Sequence, residues 1–156
     1  MFHYYQPTKI HFGAGQLNEL GHVCRGYGKT CFLVTTPDAP LQPLYERVKK
    51  LLDAEGISVI HFDKVEPNPS VEIVEQGFAM LKEQPADFVL AVGGGSSIDT
   101  AKAIAFANGK ESIDWDHLFN EYSSPFAYYP SYSEKHLPLL SVPTTSGTGS
   151  QVTQAA

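Results

Sequence analysis

Residues 87–108 read DFVLAVGGGSSIDTAKAIAFAN, an apolar run that meets three consecutive glycines and passes at once into a helix-like pattern. Phe88 to Val92 is apolar without alternation, the pattern of a strand buried on both faces of a parallel sheet. Gly93, Gly94 and Gly95 carry no Cβ and tolerate positive φ, so the backbone can turn sharply and bring its N–H groups to a ligand. Ser96 and Asp99 have the S-x-x-D spacing of a capping box that opens the next helix. Ile98, Ala101 and Ala105 then fall on one helical face, and the small alanines between 101 and 107 suit close packing on a sheet.

A helix N-terminus offers unpaired N–H groups and a partial positive charge, so a glycine turn placed there is a cradle for an anion, above all a phosphate. The bland alternative is a tight strand-to-helix connection with no ligand. The turn matches neither G-x-G-x-x-G nor G-x-x-x-x-G-K-[ST], so it is neither a standard dinucleotide fingerprint nor a P-loop.

Outward from this unit, strands and helices alternate. Lys9 to Phe12 is the firmest part of an expected opening strand or hairpin, and a short helix carrying Leu17, Leu20 and Val23 or Cys24 ends at Gly26 to Gly28. Thr30 to Thr35 reads as a central strand. Leu44, Val48, Leu51 and Leu52 mark an amphipathic helix, Ile57 to Phe62 a second strand, and Glu66-Pro67-Asn68-Pro69 a rigid turn. Ser70 is placed to cap a helix with Val71, Val74, Phe78 and Leu81 on one face. The stretch 109–138 has no sustained period but is dense in aromatics, from Trp115 and Phe119 to Tyr132, and is expected to be an ordered excursion that either buries its own rings or covers a ligand. Leu139 to Val142 is the last strand, and a Ser/Thr/Gly loop leaves it. The expected fold is α/β, a doubly wound, mostly parallel, Rossmann-like sheet with helices on both faces, spanning residues 1–156 as one domain. Two Gly/Ser/Thr-rich loops then leave the carboxyl ends of strands, where such sheets bind ligands.

The chain has 156 residues, 42% hydrophobic and 18% charged, with a formal net charge of −6. That balance opposes a general nucleic-acid or anionic-membrane surface. No apolar run reaches the about 18 residues that span a bilayer, and no secretory signal opens the chain, so a cytoplasmic location is expected. Cys24 and Cys31 are expected as small buried thiols. None of the six histidines has the i, i+4 partner of a helical metal site.

GGGSSIDTAKAIA (93–105), followed by PTTSGTGSQVT (143–153), resembles the N-terminal half of the iron-containing (group III metal-dependent) alcohol dehydrogenases, and the resemblance runs from KIHFGAG (9–15) to the last residue. It implies that Gly93, Gly94, Gly95, Ser96 and Ser97 hold the diphosphate of NAD or NADP, and that Thr144, Thr145 and Thr148 line the same cofactor. Asn68, in the PNP turn, is a further candidate contact, with stabilisation of the turn as its other role. Asp99 is expected to cap the helix. In this family Fe²⁺ or Zn²⁺ is held by a helical second domain absent from this sequence, so no residue inherits a metal or catalytic role. The chain is therefore expected to be part of a longer two-domain enzyme interconverting a small alcohol and its aldehyde or ketone, inactive alone and prone to self-association. A non-catalytic nucleotide-binding module is the rival from another class. Glycerol dehydrogenases and dehydroquinate synthases share the architecture, but the former have an aspartate near the position of Gly149, and the latter would differ from SSIDTAKAIA. In NAD-using relatives the first strand ends in a VTD-like sequence, whereas here Thr36 stands at the aspartate's place. Tolerance of both cofactors, leaning to NADP, is the resulting expectation, with Asp38 as the residue that could restore a preference for NAD.

Overall fold

The computed structural model describes residues 8–121 and 136–153. Four strands form one parallel sheet: β1 (Thr30–Val34), β2 (Ser58–Phe62), β3 (Phe88–Gly93) and β4 (Leu139–Pro143), in the order β2-β1-β3-β4. Register runs Cys31 beside Phe88 and Val59, and Val89 beside Leu139. Every residue of β3 is buried, as an apolar run without alternation requires in a strand covered on both faces.

The helices are α1 (Leu20–Cys24), α2 (Gln42–Asp53), α3 (Val71–Glu83), α4 (Gly95–Ala107) and α5 (Trp115–Glu121). Two apolar clusters lie on opposite faces of the sheet. One joins Phe32, Val34, Val89 and Ala91 to Val74 and Leu81 of α3 and to Ile98, Ala101 and Ile104 of α4. The other joins Cys31, Leu33, Leu90 and Val92 to Leu20 and Cys24 of α1 and to Tyr45, Val48 and Leu52 of α2. The doubly wound arrangement is thus present, with the reversal of strand order between β1 and β3, where ligands of open α/β sheets bind.

Several local expectations are corrected. Residues 9–12 form no strand: their N–H and C=O groups have no neighbouring strand among the described residues, and Ile10 and Phe12 are 65% and 96% exposed. The buried stripe of α2 is Tyr45, Val48 and Leu52, while Leu44 and Leu51 sit half-buried on its flank. Ser70 does occupy the position before α3, but its hydroxyl makes no cap to a backbone N–H. It bonds instead to Glu72, whose carboxyl is held below its usual range chiefly by that contact. Cys24 and Cys31 are free and buried, and desolvation pushes the Cys24 thiol up to about 12 and Cys31 higher still. Both remain protonated at neutral pH. Within the stretch 109–138, α5 is started by a hydrogen bond from the His117 N–H to Asp114 Oδ1 of 2.9 Å. Residues 1–7, nearly half of the aromatic excursion (122–135) and 154–156 lie outside the described residues. No helix among the described residues is long and apolar enough to cross a membrane.

Candidate functional site

At the point where strand order reverses, the carboxyl ends of β1, β3 and β4 enclose an open cleft of about 420 Å³. The end of β1 supplies Thr36 and Asp38, and the 3-10 turn Ala39–Leu41 adds Leu41. The PNP turn supplies Pro67. Gly94, Gly95, Ser96 and Ser97 form the floor, and Thr144, Thr145 and Thr148 the opposite wall. Eight of the ten residues singled out on sequence therefore converge, from segments more than a hundred residues apart. Asn68 and Gly93 do not line the cleft. Asn68 is exposed and holds the turn with φ 56°, a left-handed conformation that asparagine tolerates better than most residues, while the neighbouring Pro67 faces the cleft. Gly93 is buried beneath it.

The three glycines differ in what they require. Gly93 has φ 154°, and a Cβ there would run into Ser97 Oγ. Gly94 has φ −80° and ψ −168°, open to any residue, and is the N-cap of α4: its carbonyl accepts the Ile98 N–H at 3.2 Å. A Cβ on Gly94 would lie 3.3 Å from Thr145 Oγ1, and one on Gly95 3.0 Å from Thr148 Cγ2, so both glycines keep the two loops close. All three glycines can take positive φ, and of them only Gly93 does.

The capping box is absent. Because Gly94 takes the N-cap, Ser96 falls at the second helical position and Asp99 in the turn beyond the reach of the cap. Asp99 instead ties α4 to the second loop. Its Oδ2 accepts from Ser150 Oγ at 3.4 Å, and its Oδ1 from Lys102 Nζ at 3.2 Å, while Lys102 also donates to Thr153 Oγ1 at 3.2 Å. A further bond, from the Thr144 N–H to the Gly93 carbonyl at 2.9 Å, fixes the start of that loop against the glycine turn. Ser96→Ala should accordingly shift stability by no more than about 0.5 kcal/mol, since no cap is lost.

Ser97 is fully buried and lines the cleft, and its Oγ has no hydrogen-bond partner among the described residues. A buried hydroxyl left unpaired costs about 1–3 kcal/mol. It lies in the first turn of α4, where the leading N–H groups have no carbonyl within the helix. An acceptor placed over Gly95 to Ser97 would satisfy those N–H groups. A phosphate oxygen fits this need, and the absence of Cβ atoms at Gly94 and Gly95 leaves it room. Among the described residues no lysine or arginine lines the cleft, so positive potential there comes from the helix end.

Behind the cleft, Thr35 is fully buried and its Oγ1 lies 2.8 Å from His61 Nε2. The His61 ring meets Tyr45 edge-on at 6.2 Å. Burial, assisted by Lys49, depresses the His61 pKa below its ordinary 6.5, with Asp63 and Glu46 opposing. The unfolded chain then binds the proton more readily than the folded one. Stability from this group is complete above about pH 6.5 and falls as pH drops through that value towards the folded pKa. Melting temperatures at pH 7.5 and 5.5 should differ less in His61→Gln than in wild type. His136, also depressed by burial, acts in the same direction in both proteins and cancels from the comparison.

The family model for iron-containing alcohol dehydrogenases matches residues 7–156. A probable NADH-dependent butanol dehydrogenase of Bacillus subtilis is 38% identical over 152 residues, which are 97% of this chain and 37% of that protein. A choline dehydrogenase of Bacillus subtilis is 37% identical over 157 residues, covering 99% of this chain and 38% of that protein. The crystal structure of an iron-containing alcohol dehydrogenase from Thermotoga maritima matches with a TM-score of 0.82 at 32% identity, over 98% of this chain and 40% of that one. The chain thus spans well under half the length of these relatives. With the family's pattern matched over almost every residue and its fold reproduced around a cleft at the strand reversal, the chain belongs to the iron-containing alcohol dehydrogenase family.

Proposed function

We propose that this chain is the dinucleotide-binding portion of an NAD(P)-dependent, iron-type alcohol dehydrogenase. The observation that carries the proposal is a cleft whose floor is the start of α4, lined by Gly94, Gly95, Ser96 and Ser97, with the Ser97 hydroxyl buried and unpaired. The N–H groups of Gly95, Ser96 and Ser97, with the Ser97 hydroxyl, would hold the cofactor diphosphate. Thr144, Thr145 and Thr148 offer hydroxyls that both donate and accept, suited to ribose or amide groups along the opposite wall. Asp99 and Lys102 hold that wall in position without touching the ligand. The bound nicotinamide supplies the hydride acceptor and donor of an alcohol–carbonyl interconversion in the intact protein. Among the described residues no three His, Cys, Asp or Glu side chains gather in a group that could hold a metal ion. The Fe²⁺ or Zn²⁺ of the intact protein is therefore assigned to no described residue.

Titration calorimetry with NADH and NADPH tests the proposal on the chain itself. Binding without turnover is the expected result, and alcohol oxidation by these 156 residues with added Fe²⁺ or Zn²⁺ would refute the division of labour. Ser97→Ala makes the sharper test. Removing an unsatisfied buried hydroxyl should leave the free chain as stable as wild type or more so by about 1 kcal/mol, while cofactor binding weakens roughly tenfold. A variant both less stable and unchanged in binding would place the hydroxyl in the fold rather than in the site.

A further inference from the structure

We infer that Asp38, presented by Thr36, makes this nucleotide site select NAD(H) over NADP(H). The inference rests on the dinucleotide assignment of the cleft and reverses the expectation drawn from the strand end alone. Thr36 Oγ1 donates to Asp38 Oδ2 at 2.8 Å, and the same oxygen lies 2.9 Å from the Tyr45 hydroxyl. A carboxylate only accepts, so the Thr36 proton is committed to Asp38 and Tyr45 must donate to Thr36. The relay therefore runs Tyr45 to Thr36 to Asp38. Its first member is fully buried in α2, its last exposed at the cleft.

Backbone stiffness adds to this positioning. Pro37 locks its own φ and keeps Thr36 extended, and the Leu41 N–H bonds back to the Asp38 carbonyl at 3.0 Å. The carboxylate is thus aimed by a short rigid segment at the carboxyl end of β1, the strand beside the one that carries the diphosphate loop. In a doubly wound sheet this neighbouring strand end is where the adenosine ribose falls. The free Asp38 oxygen can accept from a ribose 2′-hydroxyl, whereas a 2′-phosphate meets like charge. Thr36 cannot relieve that repulsion, because its proton is already spent on Asp38. Asp38 is the only charged residue lining the cleft among those described, so no cation rewards the phosphate either.

Calorimetry on the 156-residue chain at low ionic strength should show NADH bound at least about tenfold more tightly than NADPH, a modest ratio because the carboxylate is exposed and screened. Asp38→Asn should bring the two affinities together. Thr36→Val, which removes the orienting hydroxyl, should narrow the ratio, and Thr36→Ser should restore it. Added salt should shrink the wild-type ratio while leaving that of Asp38→Asn flat, a response that a purely structural role would not produce. Equal binding of the two coenzymes, a preference for NADPH, or an unaltered ratio in Asp38→Asn overturns the inference and leaves the nucleotide assignment standing. Failure to bind either coenzyme overturns both.

Discussion

Gly94→Val is expected to yield a folded protein that binds NADH at least about a hundredfold more weakly than wild type, a loss of about 2.8 kcal/mol. The backbone at Gly94 has φ −80° and ψ −168°, an extended conformation that a β-branched residue adopts readily, so strain plays no part. What changes is space. The first side-chain carbon would already sit 3.3 Å from Thr145 Oγ1, and the two methyl groups beyond it would occupy the cleft between the α4 N-terminus and the second loop. Replacing glycine by valine at an N-cap should cost about 1 kcal/mol of stability, too little to unfold the domain. Calorimetry for binding and circular dichroism for folding check the two halves. Undiminished affinity in a folded Gly94→Val protein would mean that the diphosphate lies elsewhere.

Much of this site was legible in the sequence because its determinants are local. An apolar run without alternation, a glycine triplet and a small-residue helix are neighbours in the chain, and together they identify β3, the turn and α4. The second loop was legible for the same reason, as a Ser/Thr/Gly stretch directly after a strand. What stayed hidden depends on partners distant in sequence or on register. Three adjacent glycines look alike in one dimension, and only the path of the backbone shows that Gly93 alone needs positive φ. The S-x-x-D spacing matched a capping box, yet Gly94 started the helix two residues before Ser96, and Asp99 found Ser150 on the far loop instead. Tyr45 escaped notice because 44, 48, 51 and 52 make as good an apolar stripe as 45, 48 and 52. The hydrogen bond from its hydroxyl to Thr36 decides between them. Residues 9–12 had the composition of a strand, but a strand exists only with a neighbour, and composition does not report one.

The second large effect falls on stability. Gly93→Ala is expected to destabilise the fold by about 3 kcal/mol or more, because two penalties coincide at one buried position. The φ of 154° is one that side chains rarely adopt, and the new Cβ would overlap Ser97 Oγ and approach Ser97 Cβ at 2.8 Å. The backbone cannot step aside: Gly93 pairs with Pro143 in the sheet, and its carbonyl holds the Thr144 N–H at 2.9 Å. For a chain of this length such a loss should lower the melting temperature by roughly 6–12 °C. Gly94→Ala, one residue on, lacks the strain and should lose no more than about 1 kcal/mol. Combining Gly93→Ala with Ser97→Ala separates the two penalties, since deleting Oγ relieves the overlap and leaves the φ strain untouched. The double variant should therefore recover part of the stability lost by Gly93→Ala, a coupling of about 0.5–3 kcal/mol readable from a double-mutant cycle. Strict additivity would show that backbone strain and the contact with the Cβ at position 97 set the cost without Oγ, and a Gly93→Ala protein as stable as wild type would remove the need for glycine at the end of β3.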